Sequence, residues 1–281
     1  MTKKNLGNAY SERIRAEKAE NLGLAIATLK TSLVSRQDAI DKIERCFNLL
    51  PECLGPTEKL AVFLNSWKAT HLKMLAIYGL SCRLQRLAMN AGPESENYAQ
   101  LMLASAHNAA TSYEDLGLDY AGETHAQLFN DFADVLLGDY PWSLEKYCVP
   151  EAQEFRGWIY QNMVVSDIKT GLLTNVFSEI YNHAEFTIAF AAFSEYVDRQ
   201  GLTSSEREKA LKYLYVHVAE ATEVDHLFLV LKALDAYCVV TKTSIDYVEA
   251  RQLFEEYLSR IGKIMESLTA PMEQEKDGEL T

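Results

Sequence analysis

The sequence predicts an all-α fold, a bundle of about seven to eight helices. Three observations carry this. Glycine (13) and proline (6) are scarce among 281 residues, so few positions break a helix. Long runs rich in Ala, Leu, Glu and Lys place apolar residues at helical spacing. No set of alternating segments reads as a sheet; the stretch from Tyr237 to Val240 is only briefly β-like.

Taken in order, a first amphipathic helix spans about Ser11 to Leu33, and a second about Arg36 to Leu50, stopped by Pro51. Gly55-Pro56-Thr57 restarts the chain, and one apolar-periodic run follows to about Ala91. Gly92-Pro93 breaks it. The next helix covers about Glu94 to Asp115 and stops at Gly117, a C-cap candidate. Another covers about Ala121 to Leu137 and closes at Gly138. Asp139-Tyr-Pro-Trp142 is a loop. Helices resume over about Glu151 to Val165 and Lys169 to Arg199, the latter closed by Gly201. Ser205-x-x-Glu208 has the form of a capping box and opens a long helix to about Val240. A last helix runs from Ser244 to about Leu268. The tail from Pro271 is polar and acidic, and is expected to be disordered.

Composition narrows the function classes. The net charge is −13, and no basic cluster is interleaved with aromatics, so nucleic-acid binding is disfavoured. The five cysteines, Cys46, Cys53, Cys82, Cys148 and Cys238, are scattered, odd in number and lack a CxxC pair. They read as thiols of a reducing compartment. No run of ~18 apolar residues exists, so no membrane span is expected. Met1-Thr-Lys-Lys-Asn leads into a charged helix pattern rather than a signal segment. The expectation is a cytoplasmic enzyme acting on a small molecule, with a homodimer as default.

The chemistry-bearing residues lie on these helices. Glu223-Val-Asp-His226 is a Glu-x-x-His step, which puts a carboxylate and an imidazole on one helix face, one turn apart. Helical bundles present iron or manganese ligands in this way. A surface Glu–His pair is the plainer reading of such a step. His125 follows a glycine turn after the acids Glu114 and Asp115, so either acid can meet His125 across two helices. Glu185 is the odd residue in an apolar stretch and is favoured as a bridging carboxylate; Glu179 and His183 form a second candidate pair, or a salt-bridged outer face. His217 lies six residues before Glu223, about 240° around an ideal helix, and joins the same site only through an irregularity in that helix. His71 and His107 have no carboxylate neighbours in sequence and read as structural.

Asn108-x-x-x-x-Tyr-Glu-Asp-Leu-Gly117, Glu123-Thr-His125-Ala-Gln-Leu-Phe129, Leu136-Leu-Gly138, Glu185 and Glu223-x-x-His226 together resemble, in order and spacing, the haem-oxygenase-like diiron oxidases. That group includes a chlamydial death-domain-associated protein, alkene-forming fatty-acid decarboxylases, amino-acid lyases and N-oxygenases. The resemblance covers about residues 60–240. It implies a haem-oxygenase-like helical domain over 56–269, with N-terminal helices (1–55) packed on it and a disordered tail (270–281). It implies Fe(II) as cofactor, two ions, with Mn as the variant metal and O2 as co-substrate. It implies metal ligands at Asp115 or Glu114, His125, Glu185, Glu223 and His226, and oxidation of an amino-acid-like or fatty-acid-like substrate. Two positions depart from the pattern. Asp115 stands where a Glu is usual, and Ala219 stands where a leading histidine is usual, with His217 the nearest substitute. Carboxylate and imidazole donors suit Fe(II) and Mn(II) better than structural zinc. The competing readings are a metal-free haem-oxygenase-like pocket protein, of thiamine-degrading or cofactor-maturing type, and a non-catalytic helical binding protein. A ferritin-like di-iron bundle needs two Glu-x-x-His steps, and only one is present.

Overall fold

The computed structural model of the chain describes residues 21–52, 58–117, 122–219 and 222–278. The described residues form α-helices joined by short 3₁₀ and π turns. They are α1 (Leu22–Ser35), α2 (Gln37–Leu49), α3 (Glu58–His71), α4 (Met74–Ala91), α5 (Glu96–Ala110), α6 (His125–Leu137), α7 (Pro150–Tyr160), α8 (Ile168–Arg199), α9 (Ser204–Ala219), α10 (Thr222–Thr241) and α11 (Tyr247–Gly278). The long run predicted after Pro56 is divided, being interrupted at Leu72-Lys73, and residues 220–221, between α9 and α10, lie outside the described residues.

The middle of the bundle is α8. It spans 32 residues, about 48 Å at 1.5 Å per residue. From Gly171 to Asn182 every residue is buried, so this half is surrounded by other helices, as a helix without a polar face must be. It packs against α9 and α10 on one side and against α4 and the π turn Gln161–Val165 on another. A Cβ at Gly171 would lie 3.1 Å from the Met163 carbonyl and 2.9 Å from Leu80; glycine lets the turn close onto α8. Helices α1 and α2 pack on α11, and α5 packs between α4 and α10.

The apolar centre gathers round Trp67, which is fully buried. Its ring lies within 6.3 Å, centroid to centroid, of Phe47, Phe63, Phe129, Phe132, Phe186, Phe193 and Tyr213. Aromatic pairs at such spacing add to the area they bury. They also make a rigid floor beside the polar cavity described below.

Three helix ends differ from the sequence reading. The capping box that opens α9 is Thr203 with Glu206, not Ser205 with Glu208: Thr203 N donates to Glu206 Oε2 at 2.8 Å, and Glu206 N to Thr203 Oγ1 at 3.3 Å. Helix α6 starts at His125, under a reciprocal cap in which Gln127 N donates to Thr124 Oγ1 and Thr124 N to Gln127 Oε1. The third lies in the stretch expected to be a disordered tail, of which residues 279–281 lie outside the described residues. Helix α11 runs through Pro271 to Gly278, because Leu268 and Met272 continue its buried face. Among the described residues, no helix is long and apolar enough to cross a membrane.

Candidate active site

A cavity of about 90 Å³ opens where the α3–α4 corner, the start of α6, the middle of α8, and the α9 and α10 ends face one another. Its lining holds four imidazoles, two carboxylates and two ammonium groups: His71, His125, His217, His226, Asp115, Glu179, Lys68 and Lys73. Such a concentration of ionisable groups in one concavity marks a candidate functional site.

The corner at Leu72-Lys73 helps to build it. His71 and Lys73 are two residues apart, about 200° on a continuous helix. Because α3 ends at His71 and Lys73 precedes α4, both reach the cavity. His217 and His226 are nine residues apart, about 180° on a continuous helix. Both nevertheless line the same space.

On the first wall, His125 Nδ1 lies 2.7 Å from Asp115 Oδ1, as the sequence predicts. The turn between them needs glycine. Gly117 has φ +81°, and a Cβ there would stand 2.9 Å from the Gly122 backbone. At this distance Asp115 is placed to accept from Nδ1–H and orients the ring.

The second wall is α8. Glu179, Asn182 and Phe186 stand at i, i+3 and i+7 and face the cavity together. Lys73 Nζ donates to Glu179 Oε1 at 2.7 Å and to Ser178 Oγ at 2.6 Å. With the Asn182 amide oriented to donate to the Ser178 carbonyl, its oxygen accepts from Lys73 Nζ at 2.9 Å. An ammonium has three protons, and all three are then placed. His226 Nδ1 stands 3.5 Å from Glu179 Oε2, so the carboxylate is held between an ammonium and an imidazole.

His217 forms the third wall. It stacks on Phe186 at 3.8 Å and 2°, and lies edge-on to His125 at 4.6 Å. Burial holds its pKa well below the usual histidine value, and the neighbouring His125, His71, His226 and Lys73 push in the same direction. His217 is a neutral imidazole near pH 7.

Glu185 corrects the sequence reading. It stands six residues beyond Glu179, about 240° round the helix, and does not line the cavity. It accepts from Tyr181 O–H at 2.6 Å and lies 2.9 Å from His71 Nε2. It faces instead a smaller cavity of about 20 Å³ lined mainly by apolar residues of α1, α2, α8 and α11. The α8 carboxylate in the main cavity is Glu179. His71, read as structural, proves to line it. The partners of both are more than a hundred residues away in sequence, Glu179 in Lys73 and His71 in Glu185. The side chains of Glu114 and Glu223 lie outside the described residues.

The donors Asp115, His125, Glu179, His217 and His226 are of the kind that iron and manganese take. Their arrangement does not fit a metal centre. Among the described residues, no three His, Cys, Asp or Glu side chains form a group that could hold an ion. Asp115 is turned onto His125, and the Lys73 ammonium takes the cation position beside Glu179. Among the described residues, no thiol lines the cavity. Cys46, Cys82, Cys148 and Cys238 all lie outside the lining, and Cys53 lies outside the described residues.

No protein-family model matches the sequence, and no curated protein matches it. Among solved structures, a TenA homologue from Pseudomonas syringae pv. tomato is similar, with a TM-score of 0.59 over 86% of this chain and 92% of that one, at 12% identity. At that identity the likeness speaks for the fold alone. The fold is the haem-oxygenase-like all-helical bundle.

Proposed function

We propose that the protein is a small-molecule enzyme that uses its cavity for acid–base chemistry without a metal, in the manner of the thiamine-degrading and cofactor-maturing branches of this fold. The observation that carries the proposal is the internal balance of charge. The carboxylates at and beside the cavity each have a partner of this chain: Lys73 for Glu179, His125 for Asp115 and His71 for Glu185.

In this reading His125 is the general base. Asp115 orients its ring and stabilises the imidazolium that forms when Nε2 takes a proton, the division of labour of a base and its orienting carboxylate. Lys73, fixed by its three acceptors, is the electrostatic partner for charge that develops on the substrate. Phe129, Phe186 and Tyr213 offer flat faces, which suits an aromatic or heteroaromatic substrate. Chelator-treated protein incubated with aminated heteroaromatics, thiamine first among them, tests this. Turnover that survives chelation and is lost in His125→Ala is expected; turnover that requires added Fe(II) would overturn it.

A second reading, a non-haem iron oxidase, is favoured by one observation. Five donors of the right type, Asp115, His125, Glu179, His217 and His226, face one cavity. It requires Asp115 and Glu179 to leave their present partners for the metal.

A further inference from the structure

Two ammonium and two carboxylate groups line the main cavity. Three of the four are met inside it: Lys73 and Glu179 hold each other, and Asp115 lies on His125. Lys68 differs. Among the described residues its Nζ forms no ion pair, and its hydrogen bond goes to the neutral Asn130 Oδ1 at 2.8 Å. The ammonium stands over two aromatic rings, 4.9 Å from the centroid of Trp142 and 5.7 Å from that of Phe129. Asp134 attracts it from beyond ion-pair distance, and that carboxylate accepts from Trp142 Nε1 at 2.9 Å. An ammonium has three protons, so two of those on Lys68 have no protein acceptor among the described residues. Ring faces answer such a charge only in part, and partial burial penalises it: its pKa is lowered despite Asp134.

The place of the ammonium fixes what it reaches. Lys68 lies one turn before His71 on α3, and Phe129 one turn after His125 on α6. Phe129 lines the cavity, whereas Trp142 and Asn130 do not. The charge therefore stands at the rim, about one helical turn (~5 Å) from the level of the two imidazoles. We propose that Lys68 recognises an anionic group, a carboxylate or a phosphate, on the molecule that the cavity binds. Its two uncommitted N–H groups give the anion charge-assisted hydrogen bonds, while the ligand ring lies on the faces of Phe129 and Phe186. Lys73 does not serve in its place, because its three protons are already set on Glu179, Ser178 and Asn182. In a chain of net charge −13, a cation without an ion-pair partner at the rim also sets the local sign that an arriving ligand meets. The inference rests on the cavity being a substrate site, and it narrows the substrate class to aromatic or heteroaromatic anions.

The test is isothermal titration calorimetry of the full chain with three single-ring probes: benzoate, phenyl phosphate and the neutral benzyl alcohol. At least one anion is expected to bind about tenfold more tightly than the alcohol, and the tighter of the two tells a carboxylate site from a phosphate site. Lys68→Met keeps the stem that packs on the rings and removes the charge. The advantage of the anion is expected to vanish there, while the alcohol binds as it does to the wild type. Lys68→Arg keeps the charge and is expected to keep the advantage. Anions that bind the wild type no more tightly than the alcohol, or no binding by any probe, would overturn the inference. An advantage that survives in Lys68→Met would overturn it too. If Lys68→Met fails to fold, Lys68→Gln takes its place, and the wild-type comparison is able to overturn the inference by itself. The acid–base reading is judged separately, by turnover in His125→Ala.

Discussion

The Lys73–Glu179 pair allows the charge balance to be measured. The two side chains are 10% and 1% exposed and lie 2.7 Å apart. At an effective dielectric constant near 20, two unit charges at that distance attract by about 6 kcal/mol. Desolvation of both groups offsets most of this, so the pair adds little net stability compared with an apolar pair of the same shape. Removing one partner alone is different, because it strands a buried charge. Lys73→Met removes the ammonium beside Glu179, and Glu179→Gln leaves Lys73 beside neutral acceptors. Each is expected to cost about 3–5 kcal/mol, a fall in Tm of roughly 10 °C for a chain of this size. The double variant Lys73→Met/Glu179→Leu is expected within about 1 kcal/mol of wild type, which gives a coupling energy of about 5 kcal/mol or more. Urea unfolding of the wild type, both singles and the double measures the cycle. A Lys73→Met that costs less than about 1 kcal/mol, with additive effects in the double, would refute the reasoning. Glu179 would then be balanced by something other than Lys73.

Other perturbations reach the rest of the account. The His217 pKa is lowered well below 6.5 in the folded chain, so below that pH the unfolded chain binds a proton that the folded one does not. The stability this group supplies is complete above pH 6.5 and is lost as pH falls, by up to about 1.4 kcal/mol per pH unit; urea midpoints between pH 7.5 and 5.5 should show a shallower slope in His217→Gln. Gly117→Ala forces a side chain into φ +81° and onto the Gly122 backbone, and is expected to cost about 1–3 kcal/mol with a loss of turnover, since it displaces the turn that holds Asp115 to His125. Trp67→Ala empties the centre of the aromatic core and should cost about 3–5 kcal/mol, seen as a lowered Tm.

Much of the fold is legible in the sequence, because the helices are closed by residues that leave few alternatives. Gly92, Gly138 and Gly201 stand just beyond helix ends with positive φ, as their positions in the periodic pattern suggest. The fold class follows from the same pattern. The corner that helps to make the site is not legible. Leu72-Lys73 contains neither a glycine nor a proline, so nothing local announces that the helix stops there. Pro271 misleads the other way, sitting inside α11 because flanking apolar residues keep that helix packed. The Asp115–His125 contact is visible because it crosses one short glycine turn. Glu179 and His71 are not, because Lys73 and Glu185 reach them from distant elements, and sequence spacing carries no record of such a partner. Periodicity alone made Glu185 conspicuous as a lone acid among apolar residues. It is such an acid, and what it serves is a histidine rather than the open cavity.

The central claim is that the chain's own cations and imidazoles balance its buried carboxylates. Iron content measured after anaerobic Fe(II) addition and desalting tests it most directly. The account predicts well under one ion retained per chain, unchanged in Glu179→Ala and His226→Ala. One or two ions held per chain in the wild type and lost in those two variants would contradict it and establish the oxidase reading in its place.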